Sequence, residues 1–309
     1  MRHLALAASV VAGALLLPGT AAAHLRTGRV AVDYTANVAP LRRPLAGAVE
    51  VRVYRADLAL SLTALRGHRV VVLGYSGEPF LRFAAGRVYA SRSSLTVAGL
   101  GLARSGTGWR LLSRQPRWIW HDARVRGLPA DVERSRWTVP LLVDGRRAEL
   151  SGTLTRPPRP PVWPWLAIGA VFAAATVLLV LRREPGRLRI AAAALGWLAA
   201  TATLLVTCGF AASSTASEGT WVESGNEILF VLVGAGFLVA RSADTRALAG
   251  GALGLLALAV GLKSLPVLLH GVVLSALPGN VARTAVVLAI SAGAAAAVVA
   301  LVVFFDVLE

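Results

Sequence analysis

The sequence predicts an all-β domain of immunoglobulin-like β-sandwich type, followed by an all-α domain that crosses a membrane several times. Apolar residues make up 56% of the 309-residue chain and cluster at residues 4–23 and again after Val162. Between these clusters, short runs alternate between apolar and polar residues, which is typical of β-strands. A proline-rich stretch separates the alternating region from the second apolar cluster, and it predicts a domain boundary.

Residues 1–23 have the pattern of a secretory signal peptide. Arg2 supplies a positive charge, residues 4–17 are apolar but too few to span a membrane easily, and residues 21–23 form a small-residue cleavage site. An uncleaved membrane anchor is the alternative. Cleavage before His24 makes it the N-terminal residue, and its amine and imidazole nitrogens then form a strong chelate for Cu(II).

Residues 24–155 are predicted to form the exported β-sandwich. Period-two alternation is clear in residues 49–55, and turn signals such as residues 76–79 and Asp144-Gly145 separate the runs. Seven or more short strands with no convincing amphipathic helix between them favour an antiparallel, immunoglobulin-like sandwich. The predicted strands are residues 30–34, 49–54, 69–74, 87–90, 109–112, 137–143 and 148–154.

Residues 156–164 form a predicted linker, because their prolines favour a stiff polyproline II segment. Trp163 and Trp165 mark the entry to the membrane, since tryptophan is enriched at the membrane–water interface. Residues 165–309 then carry about five apolar segments of membrane-spanning length. These segments are residues 165–181, residues 190–210, a third that ends near 240, residues 247–262 and residues 284–305.

Arginines predict the orientation of these segments in the plasma membrane. Four arginines lie between residues 182 and 189, and two more lie at 241 and 246. The positive-inside rule places both loops in the cytoplasm, so the β-sandwich is expected outside and the C-terminus inside. Residues 264–278 are too short for a comfortable span and are predicted to form an interfacial or re-entrant helix on the outer side. The alternative is a sixth span, which would place the C-terminus outside.

The composition restricts the classes of partner and cofactor that the chain is expected to bind. The net charge is +16 and is almost entirely due to arginine, since Lys263 is the single lysine. This charge favours adhesion to anionic lipid in the bilayer, whereas nucleic-acid binding is not predicted because no basic run is interleaved with stacking aromatics. Cys208 is the single cysteine, which excludes an intrachain disulfide and a cysteine-based zinc site.

Residues 117–124 contain two tryptophans, a histidine and a carboxylate. If this stretch is a strand, Asp122 shares a face with both tryptophans, whereas His121 lies on the opposite face with Ala123. A His-x-His pair in a strand would present two imidazoles to copper or zinc, but Ala123 occupies the second position. The strand therefore supplies one imidazole, and the alternative interpretation is a structural histidine packed beside aromatic residues.

Two other histidines complete the predicted metal site. His24 at the cleaved N-terminus and His68 in a predicted turn are candidate ligands that would join His121 and Asp122 around copper. The alternative for His68 is a solvated turn residue.

A second candidate site lies in the predicted membrane domain. Glu223 and Glu227 are four residues apart, and thus share one face of the helix that enters the third span. An ionisable group at this depth is a candidate functional residue, although a charge that complements the helix dipole is the alternative. His270 is predicted on the same side of the membrane, so Glu227 and His270 together are predicted to bind a cation or to relay a proton.

Three segments resemble motifs of an uncharacterised family of exported, multi-pass membrane proteins from actinobacteria. They are residues 74–82 (Gly-Tyr-Ser-Gly-Glu-Pro-Phe-Leu-Arg), residues 120–124 (Trp-His-Asp-Ala-Arg) and residues 137–141 (Trp-Thr-Val-Pro-Leu). The similarity extends over most of the chain and includes the segment that begins at His270. Members of this family usually read Trp-His-Asp-His-Arg, whereas this chain has Ala123 in place of the second histidine.

The predicted N-terminal His24 and the β-sandwich also loosely resemble copper-binding domains of CopC type. This resemblance implies copper as a ligand of the exported domain.

Three functions are consistent with these patterns. The first is a membrane protein whose exported β-sandwich binds a partner in the cell envelope, without catalysis, because the chain has no nucleophile elbow, phosphate-binding loop or metalloprotease motif. The second is copper handling through His24 and His121. The third is a small permease that uses Glu227 and His270.

Overall fold

A computed structural model describes residues 30–54, 59–213 and 218–308. The predicted signal peptide, its cleavage site and His24 lie outside the described residues. A β-rich region of antiparallel sheets comes first in the chain, and a helical region follows it. Residues 156–162, which contain four of the five prolines of the predicted linker, connect the two regions and have no regular secondary structure, whereas the fifth, Pro164, lies in the first turn of the helix that follows.

The described part of the chain contains twelve strands, and every paired strand is antiparallel to its neighbour. The strands are β1 (Ala31–Val32), β2 (Thr35–Val38), β3 (Val49–Tyr54), β4 (Ala59–Ala64), β5 (Val70–Leu73), β6 (Pro79–Ala84), β7 (Arg87–Ser91), β8 (Trp109–Ser113), β9 (Arg117–His121), β10 (Arg134–Val143), β11 (Arg146–Thr155) and β12 (Val272–Val273).

Two sheets of the β-rich region share one hydrophobic core. One sheet has the strand order β2-β11-β10-β5-β6-β7-β8, and the other has the order β3-β4-β9. Phe80 and Phe83 of the first sheet and Leu60 and Leu62 of the second are fully buried in this core. Burial of a side chain of this size contributes about 1.5–3 kcal/mol, so these residues hold the two sheets together.

Most of the predicted strands are confirmed, and the strand at residues 49–54 has the predicted bounds. Strand β4 was not predicted, although residues 60–63 (Leu-Ser-Leu-Thr) alternate between apolar and polar residues, and five of its six side chains are buried. The predicted turn at Asp144-Gly145 is confirmed as a two-residue hairpin loop, with φ angles of 51° and 81°. A short helix that was not predicted, α1 (Leu95–Gly99), lies between β7 and β8.

The helical region contains four helices that are long and apolar enough to cross a membrane: α2, α3, α5 and α7. In α4 the apolar part is shorter and comprises Ser224–Leu238. The helices of this region are α2 (Trp163–Arg182), α3 (Pro185–Ser213), α4 (Glu218–Leu238), α5 (Ala243–Lys263), α6 (Pro266–Leu269) and α7 (Gly279–Leu308).

Small residues allow α3, α5 and α7 to pack closely. A Cβ atom added to Gly196 would lie 2.4 Å from the Cα atom of Gly250, and one added to Gly254 would lie 2.6 Å from the carbonyl oxygen of Gly293. Such close approach is typical of helix interfaces in membranes. Helix α2 differs because it has no buried residue, and its apolar side chains are exposed along its length.

Residues 264–278 join the helical region to the β-rich region. They form α6 and then β12, which pairs with β1 through Ala31 opposite Val273 and Val32 opposite Val272. Leu274 is 3% exposed and belongs to the core of the β-rich region. The predicted interfacial helix is therefore limited to the four residues of α6. The alternative of a sixth spanning helix is wrong, because α6 ends at Leu269 and Val272–Val273 pairs with β1.

Candidate functional site

The first cluster of buried polar side chains is centred on Asp122, which is 1% exposed at the end of β9. Trp120 Nε1 donates a hydrogen bond to Asp122 Oδ2 over 3.0 Å. The guanidinium group of Arg124 binds both carboxylate oxygens, with Nε at 2.9 Å from Oδ1 and Nη2 at 2.7 Å from Oδ2. This bidentate pair neutralises the buried carboxylate and fixes its orientation.

Tyr75 connects this cluster to the hairpin between β5 and β6. Its hydroxyl oxygen accepts a hydrogen bond from the backbone N–H of Ala123 over 2.9 Å. The guanidinium carbon of Arg124 lies 5.0 Å from the centre of the Tyr75 ring, and Arg124 Nη1 donates to the carbonyl oxygen of Leu73. The segments at residues 74–82 and 120–124, which carried the resemblance in the sequence, therefore meet in the fold.

Glu78 extends the same network to the start of α1. Its Oε1 atom accepts hydrogen bonds from the hydroxyl groups of Ser94 and Thr96, each over 2.8 Å. A Cβ atom at position 74 would lie 2.1 Å from Glu78 Oε1, so this position requires glycine. The Gly-Glu-Pro motif thus has a structural role, since its glutamate fixes the β5–β6 hairpin to α1.

Its surroundings make Glu78 a stronger acid than usual. Partial burial is the largest single influence and raises the pKa of the Glu78 carboxyl, but hydrogen bonds from Ser94, Thr96 and the backbone outweigh it and lower the pKa from 4.5 to about 2. Glu78 is therefore ionised at neutral pH, and its charge stabilises this corner of the fold.

His121, a predicted metal ligand, lies exposed at the end of β9. Its Nδ1 atom accepts a hydrogen bond from Arg126 Nη2 over 3.0 Å. A metal cation bound at this ring would lie close to the positive charge of Arg126, and the repulsion would weaken binding. Asp122 could contribute a carboxylate oxygen only by giving up bonds to Arg124.

His68, the other predicted ligand of the β-rich region, pairs with a carboxylate at the seven-stranded sheet, whereas His121 ends a strand of the three-stranded sheet. His68 Nδ1 lies 2.8 Å from Asp144 Oδ2, and the backbone N–H of Arg69 donates to Asp144 Oδ1 over 2.8 Å. The hydrogen bond from Arg69, followed by that from His68, lowers the pKa of the Asp144 carboxyl. The pair closes the end of the β10–β11 hairpin against the turn before β5.

In the described ranges, no group of three or more His, Cys, Asp and Glu side chains is arranged to hold a metal ion. The copper hypothesis depends on His24, which lies outside those ranges. Copper binding by His24, His68, His121 and Asp122 therefore stays a prediction.

The second cluster joins three helices of the helical region around Glu227. Thr207 of α3 donates a hydrogen bond to Glu227 Oε2 over 2.6 Å. Lys263, the last residue of α5, places its Nζ atom 3.5 Å from Glu227 Oε1. The Glu227 side chain is 12% exposed and the Lys263 side chain is 9% exposed. A carboxylate and an ammonium group thus form an ion pair between apolar helices.

Sequence reasoning found Glu227 but missed both of these partners. The signal for Lys263 was present in the sequence, because the chain has one lysine and it ends an otherwise apolar segment. Its partner could not be inferred, since Glu227 and Lys263 are 36 residues apart and lie on different helices.

His270 directly follows α6 and binds a backbone group. Its Nδ1 atom donates a hydrogen bond to the carbonyl oxygen of Pro266 over 2.8 Å. Arg283 of α7 donates to the carbonyl oxygens of Val267, His270 and Gly271, with distances of 2.9–3.1 Å. These bonds fix α6 and the chain after it against α7, and they give His270 a defined position at this end of the bundle.

Comparison of the chain with protein-family models, with curated proteins and with solved structures gave no match. The resemblance to an actinobacterial membrane-protein family and to CopC-type domains stays a prediction.

Proposed function

We propose that the protein is an integral membrane protein whose immunoglobulin-like β-sandwich lies outside the plasma membrane and binds a component of the cell envelope. The observation that carries this proposal is the pairing of β1 with β12, because it connects the β-rich region to the helices in one orientation. The linker alone is a single covalent connection, which does not fix the rotation of the domain about the axis of the linker. A paired strand instead presents the same surfaces of the β-sandwich away from the membrane at all times.

Asp33 strengthens this connection. Its Oδ1 atom accepts a hydrogen bond from the backbone N–H of Gly271 over 3.3 Å, and its Oδ2 atom lies 3.4 Å from Arg159 Nη2 and 3.8 Å from Arg156 Nη1. One carboxylate thus joins the first strands, the linker and the segment after α6. These contacts support a fixed orientation of the β-sandwich on the helices.

The charge distribution supports an outer location of the β-sandwich. The turn between α2 and α3, together with the adjoining helix ends, contains Arg182, Arg183 and Arg187. The turn between α4 and α5, together with the first turn of α5, contains Arg241 and Arg246. Cytoplasmic loops of membrane proteins carry such an excess of arginine. The linker and β12 lie at the opposite ends of their helices, which supports a location of the β-sandwich on the other side of the membrane. The exposed apolar side chains of α2 favour contact with lipid.

Labelling of single cysteines in intact cells tests the orientation. The variant C208A/S105C carries its cysteine in an exposed loop of the β-sandwich, and the matched control C208A/E184C carries it in the α2–α3 turn. A membrane-impermeant maleimide is expected to label residue 105 directly and residue 184 after permeabilisation. Labelling of residue 184 alone in intact cells would refute the proposal.

Photo-crosslinking in intact cells tests binding. Benzoylphenylalanine at Leu95 or Leu111, both exposed on the β-sandwich, is expected to crosslink the same envelope component. The same residue at Val171 or Leu181 of α2 is expected to give lipid adducts. If the sites on the β-sandwich give no adduct, or the same adducts as α2, the protein is not an envelope-binding module.

A second candidate function, a small permease for protons or cations, rests on the Glu227–Lys263 pair. An ionisable pair between membrane-spanning helices is costly, and such residues usually mark a pathway for ions or protons. Ser224, three residues before Glu227, and Ser264, directly after Lys263, are buried and have hydroxyl groups without a hydrogen-bond partner among the described residues. Unpaired hydroxyl groups beside an ion pair are suited to accept a polar solute.

Flux into proteoliposomes tests this second function. The wild-type protein is expected to move protons in response to an imposed potential, as reported by a trapped pH-sensitive dye, and E227Q is expected to abolish the flux. T201V, at an exposed threonine of α3, is the matched control and is expected to retain it. A wild-type flux equal to that of empty liposomes would remove this function.

A further inference from the structure

A groove on the outer face of the seven-stranded sheet is lined by four arginines from three elements. Arg42 and Arg43 lie in the loop between β2 and β3, Arg136 lies on β10 and Arg147 lies on β11. The groove has a volume of about 470 Å³. Glu149 is the one carboxylate in its lining, so the four guanidinium groups leave a net charge of +3 (4 − 1).

None of the four arginines forms an ion pair with a described carboxylate, and they differ from other such arginines because they line one groove. All four are exposed. Arg124 and Arg156, in contrast, pair with Asp122 and Asp33. Because the charges in the groove are not neutralised within the described chain, they produce a positive potential that attracts an anion.

The groove is elongated along β11. Arg147 lies directly across from Leu142, and Arg136 lies across from Thr153 at the other end. Six residues of strand separate positions 147 and 153, which corresponds to about 20 Å at a rise of about 3.3 Å per residue. A ligand that contacts arginines at both ends must therefore be extended and must carry more than one negative charge.

We propose that this groove binds an extended polyanion whose charges are phosphate groups. The planar guanidinium fork binds two phosphate oxygens at once, and arginine is the preferred residue for this contact. Ser151 and Thr153 add hydroxyl donors to the lining. Among the described lining residues there is no Phe, Tyr or Trp on which a base would stack, so the groove is suited to a phosphate polymer without bases. The inference rests on the proposed role of the β-sandwich as a binding module, and it names the ligand of that module.

Binding of short-chain inorganic polyphosphate to the full chain, held in nanodiscs of zwitterionic lipid, tests the proposal. The variant R42Q/R136Q/R147Q removes one arginine from each element of the groove. The variant R52Q/R104Q/R114Q removes the same charge from exposed arginines outside the groove and is the matched control. We expect the groove variant to bind at least about tenfold more weakly and its slope of log K against log salt to fall by about 2, because three phosphate contacts are lost.

Four outcomes would overturn the proposal: equal weakening in the control variant, equal affinity of the wild type for polyglutamate, tighter binding of an oligonucleotide than of polyphosphate, and binding of anionic vesicles in the absence of polyphosphate binding. The first would assign the effect to net charge, and the others would assign the groove to a different ligand. Failure of polyphosphate binding together with specific photo-crosslinks from Leu95 or Leu111 would refute the groove and leave the envelope-binding role intact. Unchanged circular dichroism of both variants is the check on folding.

Discussion

Two buried carboxylates of this protein, Asp122 in the β-rich region and Glu227 between the helices, differ in where their partners lie in the sequence. Asp122 is bound by Trp120 and Arg124, which lie two residues to either side of it in the chain. Glu227 is bound by Thr207 and Lys263, which lie on two other helices. The contacts of Asp122 require only the chain at the end of β9. The contacts of Glu227, in contrast, exist only when three helices have packed together.

This difference separates a structural role from a candidate functional one. Bidentate binding at 2.7–2.9 Å fixes Asp122 and holds the end of β9 to the β5–β6 hairpin. The Glu227–Lys263 contact of 3.5 Å depends on the relative positions of α4 and α5, so movement of either helix changes it. The Glu227–Lys263 pair, which responds to helix movement, is suited to a role in transport. The Asp122–Arg124 pair, whose residues are two positions apart, is suited to a role in stability.

Among the changes that test this comparison, substitution of Arg124 should have the largest effect on stability. R124L leaves the carboxylate of Asp122 buried without its counterion, and we expect the free energy of unfolding of the β-rich region to fall by about 3–5 kcal/mol. Denaturant unfolding followed by tryptophan fluorescence measures the loss. R114L, at an exposed arginine without a described ion pair, is the control and should change stability little. A loss below that of the control variant would show that the Asp122–Arg124 pair does not stabilise the fold.

Removal of Lys263 should have a somewhat smaller effect. K263M leaves Glu227 without this partner between the helices, and we expect a loss of about 3 kcal/mol, at the low end for a buried pair because both side chains retain some exposure. Unfolding in mixed micelles with increasing SDS measures it. The double variant E227Q/K263M should recover part of the loss, because it removes both charges. If the loss of stability in E227Q/K263M equals the sum of the losses in E227Q and K263M, the pair has no interaction energy.

Acidification should have the smallest effect on stability, because it acts through protonation of the Glu78 carboxyl. Because the pKa of the Glu78 carboxyl is lowered from 4.5 to about 2 in the folded protein, its contribution to stability is present above pH 4.5 and is lost as the pH falls toward about 2. The difference in unfolding midpoint between wild type and E78Q should therefore shrink across that interval. A difference that is constant with pH would contradict the assigned role of the Glu78 charge.

Local patterns of the sequence predicted much of the fold. Alternation located β3, β5, β7, β8, β10 and β11, and apolar length located the helices. Strands β4 and β6 were missed. Strand β4 carries the alternating sequence Leu-Ser-Leu-Thr at residues 60–63 and could have been found, whereas β6 begins at Pro79 directly after a turn. The pairing of β12 with β1 was missed because a two-residue strand has no periodicity to detect.

For the candidate sites, local patterns identified some of the residues but not the residues that bind them. His121, Asp122 and Glu227 were found because a charged or aromatic-flanked residue stands out within its own segment. Arg126 was missed, although it lies five residues after His121. The partners of Glu227, Thr207 and Lys263, were also not found, since a hydrogen bond between distant segments leaves no local pattern. The groove with Arg42, Arg136 and Arg147 was invisible for the same reason, because its arginines come from three separate elements.

The sequence by itself determined the order of a β-rich region, a proline-rich linker and apolar helices, because strand alternation, proline stiffness and hydrophobic length act over a few neighbouring residues. The tertiary structure alone decided which charges meet. It paired Glu227 with Lys263, joined β1 to β12 and left four arginines around one groove without a described carboxylate partner. Such contacts arise only after packing brings distant segments within hydrogen-bond distance, and that step depends on the whole chain.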